Sequence, residues 1–420
     1  SSELLKSIDL QQYGDQIHEY APTTGVKELR QAVATYYNDT FRNDNSELKP
    51  FTYENVCIVP GGRAGLTRIA SVIGDAYTGY QLPDYTAYEQ LLTIFRRIVP
   101  IPTHLDSEKQ YKLHVDRLRQ EIRGRGLRVV LMSNPRNPTG VVIKGQELDE
   151  LVSVGREGNC TLILDEFYSW YIYDNDDDAK TPDRGDSKTS SGNAISAASY
   201  IRDINAESTV IVDGLTKGFR KPGWRIAWVV GPRELIAALN QCGGYLDGGA
   251  SHPLQMAAVP LLDPSRTRQD RAALQKHFKH KRDFVISRLN QMGFKQKASS
   301  GTFYVWLNLS HLPEPLNSGL VFFEECLREK VIVVPGVFFD VNPSHRRNLM
   351  NSPCHHYVRL SFGPPLEQLQ RGLEGIEHVI NKLKETHPEN GTLGKGYIGS
   401  DDQSKNSKHL AAISVSGAAI

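Results

Sequence analysis

Four apolar runs in this chain end in turn-forming or polar segments, and helical patterns separate them. They are "NVCIVPGGRAGLTRIASVIG" (55–74), "LRVVLMSNPRNPTG" (127–140), "NCTLILDEFYSWYIY" (159–173) and "ESTVIVDGLTKGF" (207–219). An apolar run without alternation is buried on both faces, and strands that alternate with helices predict a mostly parallel sheet covered on both sides, an α/β fold. Ligands of such sheets sit at the carboxyl ends of the strands. Six polar or glycine residues fall there: Gly62, Arg63, Asn137, Asp165, Tyr168 and Lys217.

At 420 residues the chain exceeds the size at which one core usually stops growing, which predicts two lobes. "GVKELRQAVATYY" (25–37) spaces Val26, Leu29, Val33 and Tyr37 as one helix face and opens the first lobe. A long helix over 266–290 leads into the second. Its strands are read in "GTFYVWLNL", "EKVIVVPGVFF" and "HYVRLSFG", and its closing helix in "LQRGLEGIEHVINKLKE". The aromatic "GTFYVW" reads as core of the small lobe. The predicted organisation is an N-terminal segment (1–24), a large domain (25–262), a small α+β domain (263–385) and a tail (386–420).

A formal net charge of +1, with 39% hydrophobic and 23% charged residues, describes a soluble globular protein and offers nucleic acid no attraction. No apolar run approaches the roughly 20 residues that span a bilayer, and the first residues lack a signal peptide's pattern, so the expected location is the cytoplasm. Five scattered cysteines suggest neither disulfides nor zinc, and "CHH" (354–356) offers no second ligand pair, so no metal is expected. The acidic, turn-rich stretch 174–193 reads as a surface loop.

Taken singly, the strand-end residues have plain readings as turn, cap, core aromatic or surface cation. Taken in order, "NPRNPTG", "DEFY", "LTKGFRKPGWR" and "YVRLSFG" make the chain, from about Tyr20 to about Leu383, resemble the fold-type I aminotransferases of the class I/II group. That resemblance implies pyridoxal 5'-phosphate (PLP) as cofactor, and amino-group transfer from an L-amino acid to a 2-oxo acid. Lys217 matches the lysine that holds the PLP aldehyde as a Schiff base and then shuttles the substrate proton. Asp165 matches the carboxylate that keeps the pyridine nitrogen protonated. Tyr168 and Asn137 would share the phenolic oxygen, and Tyr85 in "PDYTAY" would stack on the ring.

For the phosphate, the resemblance implies the Gly62 and Arg63 amides at a helix start, Thr216, and Arg225, eight residues after Lys217. Arg359 matches the arginine that forks onto the substrate carboxylate. Tyr20 in "EYAPTTG" matches the tyrosine that reaches a neighbouring subunit's phosphate, which implies a homodimer with composite sites. Two departures stand out. Gly214 occupies the position where the family usually has a phosphate-binding serine, and the family's N-terminal arm before Tyr20 is expected to be truncated here. The same residues would also serve a PLP-dependent lyase, synthase, cyclase or oxidase. Two further readings are weaker: a silent regulatory module, against which Lys217, Asp165, Asn137 and Arg359 all stand, and a nicotinamide dehydrogenase, since "GGRAG" does not spell GxGxxG.

Overall fold

The strand-rich reading is realised in the computed structural model, which describes residues 10–43, 45–173 and 192–386. The acidic stretch up to residue 191 and the tail after Thr386 lie outside them. Seven strands form the main sheet: β1 (Val56–Val59), β2 (Ala76–Leu82), β3 (Ile98–His104), β4 (Val129–Ser133), β5 (Thr161–Asp165), β6 (Thr209–Gly214) and β7 (Ala227–Val230). Their order is β1-β7-β6-β5-β4-β2-β3. Neighbours are parallel except at β7, which runs antiparallel to both β1 and β6. Strands β1, β4, β6 and β7 are buried along their whole length, as their unbroken Val/Ile/Leu runs require.

The reversed strand positions the site. Because β7 opposes both neighbours, β1 runs the same way as β6, and six strand ends (β1 to β6) share one edge. The start of β7 lies at that edge too. Helix α1 (Lys27–Phe41) precedes β1; α2 (Gly62–Val72), α3 (Ala87–Ile94), α4 (Val115–Arg125) and α5 (Gly145–Glu157) run between the strands, and after β7 come α6 (Arg233–Leu246) and α7 (His252–Ala258). Gly61 precedes α2 at φ 97°, a left-handed conformation that favours glycine, and so lets the chain turn from β1 straight into the helix.

The 28-residue α8 (Pro264–Gln291) starts with proline in its first turn, and the Asp263 carboxylate accepts from Arg266 N at 2.9 Å. Beyond it, β8 (Tyr304–Asn308), β9 (Val334–Pro335) and β10 (Tyr357–Ser361) form a separate antiparallel sheet ordered β8-β10-β9. The strand expected from "EKVIVVPGVFF" pairs over only two residues. Pro335 has no N–H to extend the ladder, and Gly336–Phe339 turns into a 3-10 helix. Helices α9 (Gly319–Arg328) and α10 (Leu366–Thr386) accompany this sheet. By contacts, Ser1–Ile380 is one body, and of the second segment, Asn381–Ile420, only the end of α10 is described.

Candidate active site

Lys217 lies three residues past β6, half-buried in the 215–226 connection. The connection is fixed by its own backbone, Leu215 N to Ile226 O at 3.0 Å and Lys221 N to Leu215 O at 2.8 Å, and by Tyr171 Oη donating to Lys217 O at 2.9 Å. The ammonium nitrogen sits 5.8 Å from the Tyr168 ring centre and 5.6 Å from that of Phe303. Burial lowers the Lys217 pKa, nearby Arg359 lowers it further, and Asp165 opposes the shift. Such a group reaches its neutral, nucleophilic form more readily than a surface lysine.

Asp165 ends β5 and is buried. Tyr88 Oη donates to its Oδ2 at 3.0 Å, and Phe167 N approaches Oδ1 at 3.4 Å. Burial pushes its pKa up to about 6, against the pull of these two donors; Asp84 adds to the rise and Lys217 reduces it. A cation arriving beside Asp165 would ionise it.

Asn137 and Arg359 come together from opposite ends of the chain. Arg359 Nη1 donates to Asn137 Oδ1 at 2.8 Å. The guanidinium carbon lies 4.0 Å from the Tyr304 ring centre and 4.8 Å from that of Phe339. Arg359 Nε is buried with no hydrogen-bond partner among the described residues. One edge of the fork is therefore uncommitted, in a place where an unpaired polar group is costly.

The glycine turn forms a cradle. A Cβ at Gly61 would fall 2.1 Å from Arg225 Nη2, and one at Gly62 would fall 2.4 Å from the Phe167 ring. Arg225 itself sits in the left-handed region at φ 53° and is exposed. Its guanidinium thus lies against the turn that opens α2, where free amides and the helix dipole favour an anion. Arg63, also exposed, approaches the Tyr85 hydroxyl at 3.3 Å. Thr216 is half-buried, one residue before Lys217. Tyr20 is 96% exposed and touches none of these residues within the chain.

Gly214 has a steric explanation. It pairs with Ala227, and a Cβ on it would lie 2.6 Å from the Ala227 Cα. No serine fits this backbone without separating β6 from β7.

Three features escaped the sequence reading. Tyr88 holds Asp165 but sits in an ordinary helical pattern. Asp84 and Arg136, both essentially inaccessible, pair at 3.2 Å beneath the site, with Ser133 Oγ donating to Asp84 at 2.7 Å and Arg136 donating to Gln81 at 3.0 Å. The third is "GTFYVW", read as lobe core. Tyr304 and Phe303 also face Tyr168, Lys217 and Arg359 across the gap between the two sheets. Only the neighbouring "PDY" and "NPRNPTG" turns hinted at the ion pair.

A buried carboxylate, a lysine ammonium without a hydrogen-bond partner among the described residues, a glycine cradle flanked by cations and a half-satisfied arginine together fit a planar, phosphate-bearing pyridine such as PLP. Comparison with known proteins agrees. The family profile "Aminotransferase class I and II" matches residues 3–376. The aspartate aminotransferase of Pyrococcus abyssi is 28% identical over 376 residues, covering 87% of this chain and 85% of its own. The aromatic-amino-acid aminotransferase 2 of Thermococcus litoralis is 25% identical, covering 87% and 85%. In fold, the chain is similar to the Thermus thermophilus aspartate aminotransferase solved with maleate, with a TM-score of 0.73 at 24% identity over 90% of this chain and 88% of that one. The chain belongs to the class I and II aminotransferases and is a PLP-dependent amino-acid aminotransferase.

Proposed function

We propose that Lys217 is the covalent anchor and proton carrier of this aminotransferase, and that its amino donors are L-amino acids with acidic or aromatic side chains, the two classes named in its relatives. The observation that carries the reading is the meeting of Lys217, Asp165 and Arg359 around one gap, each lacking the partner a bound cofactor and substrate would supply. Bound PLP supplies an electron sink that makes the substrate's Cα–H acidic.

The chain's own residues do the rest. Asp165 holds the proton on the pyridine nitrogen, and Tyr88 keeps its carboxylate oriented. The Gly62 and Arg63 amides, Thr216 and Arg225 hold the phosphate, and Tyr85 stacks on the ring. Tyr168 and the Asn137 amide nitrogen donate to the phenolic oxygen. The Nε/Nη2 edge of Arg359 takes the substrate carboxylate, which fixes Cα within reach of the Lys217 amine. The depressed pKa of that amine would let it accept the proton from Cα and hold it at Nζ.

Residues 25–262 would form the cofactor domain and 263–385 the small domain. We also propose a homodimer in which Tyr20 reaches the phosphate of the second copy. Its support is the exposure of three large apolar residues, Tyr20 (96%), Tyr245 (93%) and Leu246 (40%). Sedimentation as a monomer would refute it. Cytoplasmic residence is compatible with the absence, among the described residues, of a helix long and apolar enough to cross a membrane; a membrane-pelleted native enzyme would contradict it.

The test of the site is twofold. Protein loaded with PLP should show a visible absorption band that Lys217→Ala abolishes, with activity falling by several orders of magnitude. Mixed with single amino acids, loaded enzyme should release one 2-oxo acid per site and no ammonia. Ammonia release would place the chain among the eliminating enzymes on this fold.

A further inference from the structure

Tyr304 touches both halves of the proposed machinery. Its hydroxyl lies 2.8 Å from the Tyr168 hydroxyl, and its ring lies under the Arg359 guanidinium at 4.0 Å. Both tyrosines are buried, and β10 pairs with β8 directly beside them, Arg359 opposite Trp306 and Ser361 opposite Tyr304. We infer that Tyr304 is a positioning residue that sharpens Tyr168 as a hydrogen-bond donor to the cofactor's phenolic oxygen while its ring face holds Arg359 ready for the substrate carboxylate.

The proton count supports the first half. If Tyr168 spends its only hydroxyl proton on the cofactor, the proton in the 2.8 Å pair must belong to Tyr304. Tyr168 then accepts from Tyr304 while it donates, and such chained hydrogen bonds strengthen one another. Burial also holds Tyr168 far from ionising, so it acts as a donor rather than a base. The second half follows from the quadrupole of the ring. A guanidinium over an aromatic face is held in orientation without its charge being neutralised. Asn137, a neutral acceptor on Nη1, does the same from the side.

This inference rests on the proposed role of Tyr168, so the experiment separates the two. The visible band of the loaded enzyme is titrated against pH in the wild type, Tyr168→Phe, Tyr304→Phe and Tyr304→Leu, and KM is measured for one amino-acid donor. Loss of a donor to the phenolic oxygen leaves its anion less stabilised, so the spectroscopic midpoint should rise by roughly 1 to 2 pH units in Tyr168→Phe. In Tyr304→Phe it should rise by about a few tenths of a unit, with KM unchanged because the ring remains. Tyr304→Leu should show the same rise and, in addition, a KM increase of about two- to thirty-fold.

A midpoint that moves in Tyr168→Phe and stays put in Tyr304→Phe overturns the inference and leaves the site reading standing. A midpoint unmoved in Tyr168→Phe removes both. A Tyr304→Phe enzyme whose KM rises as much as that of Tyr304→Leu overturns the division of labour between hydroxyl and ring.

Discussion

Two arginines flank the same site and are held in opposite ways. Arg136, in the turn after β4, is buried against a carboxylate, Asp84, and donates to Gln81 besides. Arg359, on β10, is gripped by two aromatic rings and a neutral amide, and no carboxylate of the described residues lies within salt-bridge distance of it. Burial therefore does not mark a binding cation; the partner does. A guanidinium neutralised by the protein is committed to the fold, and one oriented but left charged is available to a ligand.

The largest effect should come from breaking the neutralised pair. Arg136→Met leaves Asp84 buried alone and should cost about 3 to 5 kcal/mol in denaturant unfolding, whereas the double variant Arg136→Met, Asp84→Leu should recover most of that. A single variant as stable as the wild type would mean the pair contributes nothing to the fold.

Asp165 sharpens the contrast from the other side, because it is a buried carboxylate for which the proposed site assigns the cofactor as the cation. Its folded pKa of about 6 lies above the ordinary 3.8, so in the cofactor-free protein its stabilising protonated form is lost as pH rises through 6. Asp165→Asn should therefore make the cofactor-free protein more stable by about 3 kcal/mol at pH 8, with the gain vanishing by about pH 4, while PLP affinity collapses. A gain that grows as pH falls would put the charge elsewhere. The smallest effect belongs to Arg359→Lys, which should raise KM by roughly 5- to 150-fold, about 1 to 3 kcal/mol, and leave the thermal midpoint unmoved. An unchanged KM would show that another group holds the carboxylate.

What could be read from the sequence was local. Gly62, Asn137, Asp165 and Lys217 announce themselves because each ends an apolar run in a turn whose residue types the backbone demands. Tyr88 and Tyr304 were invisible, and the Asp84–Arg136 pair only hinted at by its turns, for a different reason. Their partners lie 77, 136 and 52 positions away, and nothing in a helical or alternating pattern specifies who meets whom across such a distance. The direction of β7 was hidden likewise, since the pattern "RIAWVV" marks a buried strand without saying which way it runs. Gly214 was legible as a departure, but its cause, the Cα of Ala227, belongs to the facing strand.

That reversed strand also sets how the molecule can change in length. Because β7 begins where β6 ends, one connection of residues 215–226 carries Lys217 near its start and Arg225 near its finish, and in the proposed site both would meet one small anion-bearing group. Each end is pinned to the sheet, so an inserted or deleted residue here has nowhere to be absorbed and would draw one of the two out of reach. Insertions should thus be excluded from these residues and free to accumulate in connections that carry no cofactor contact.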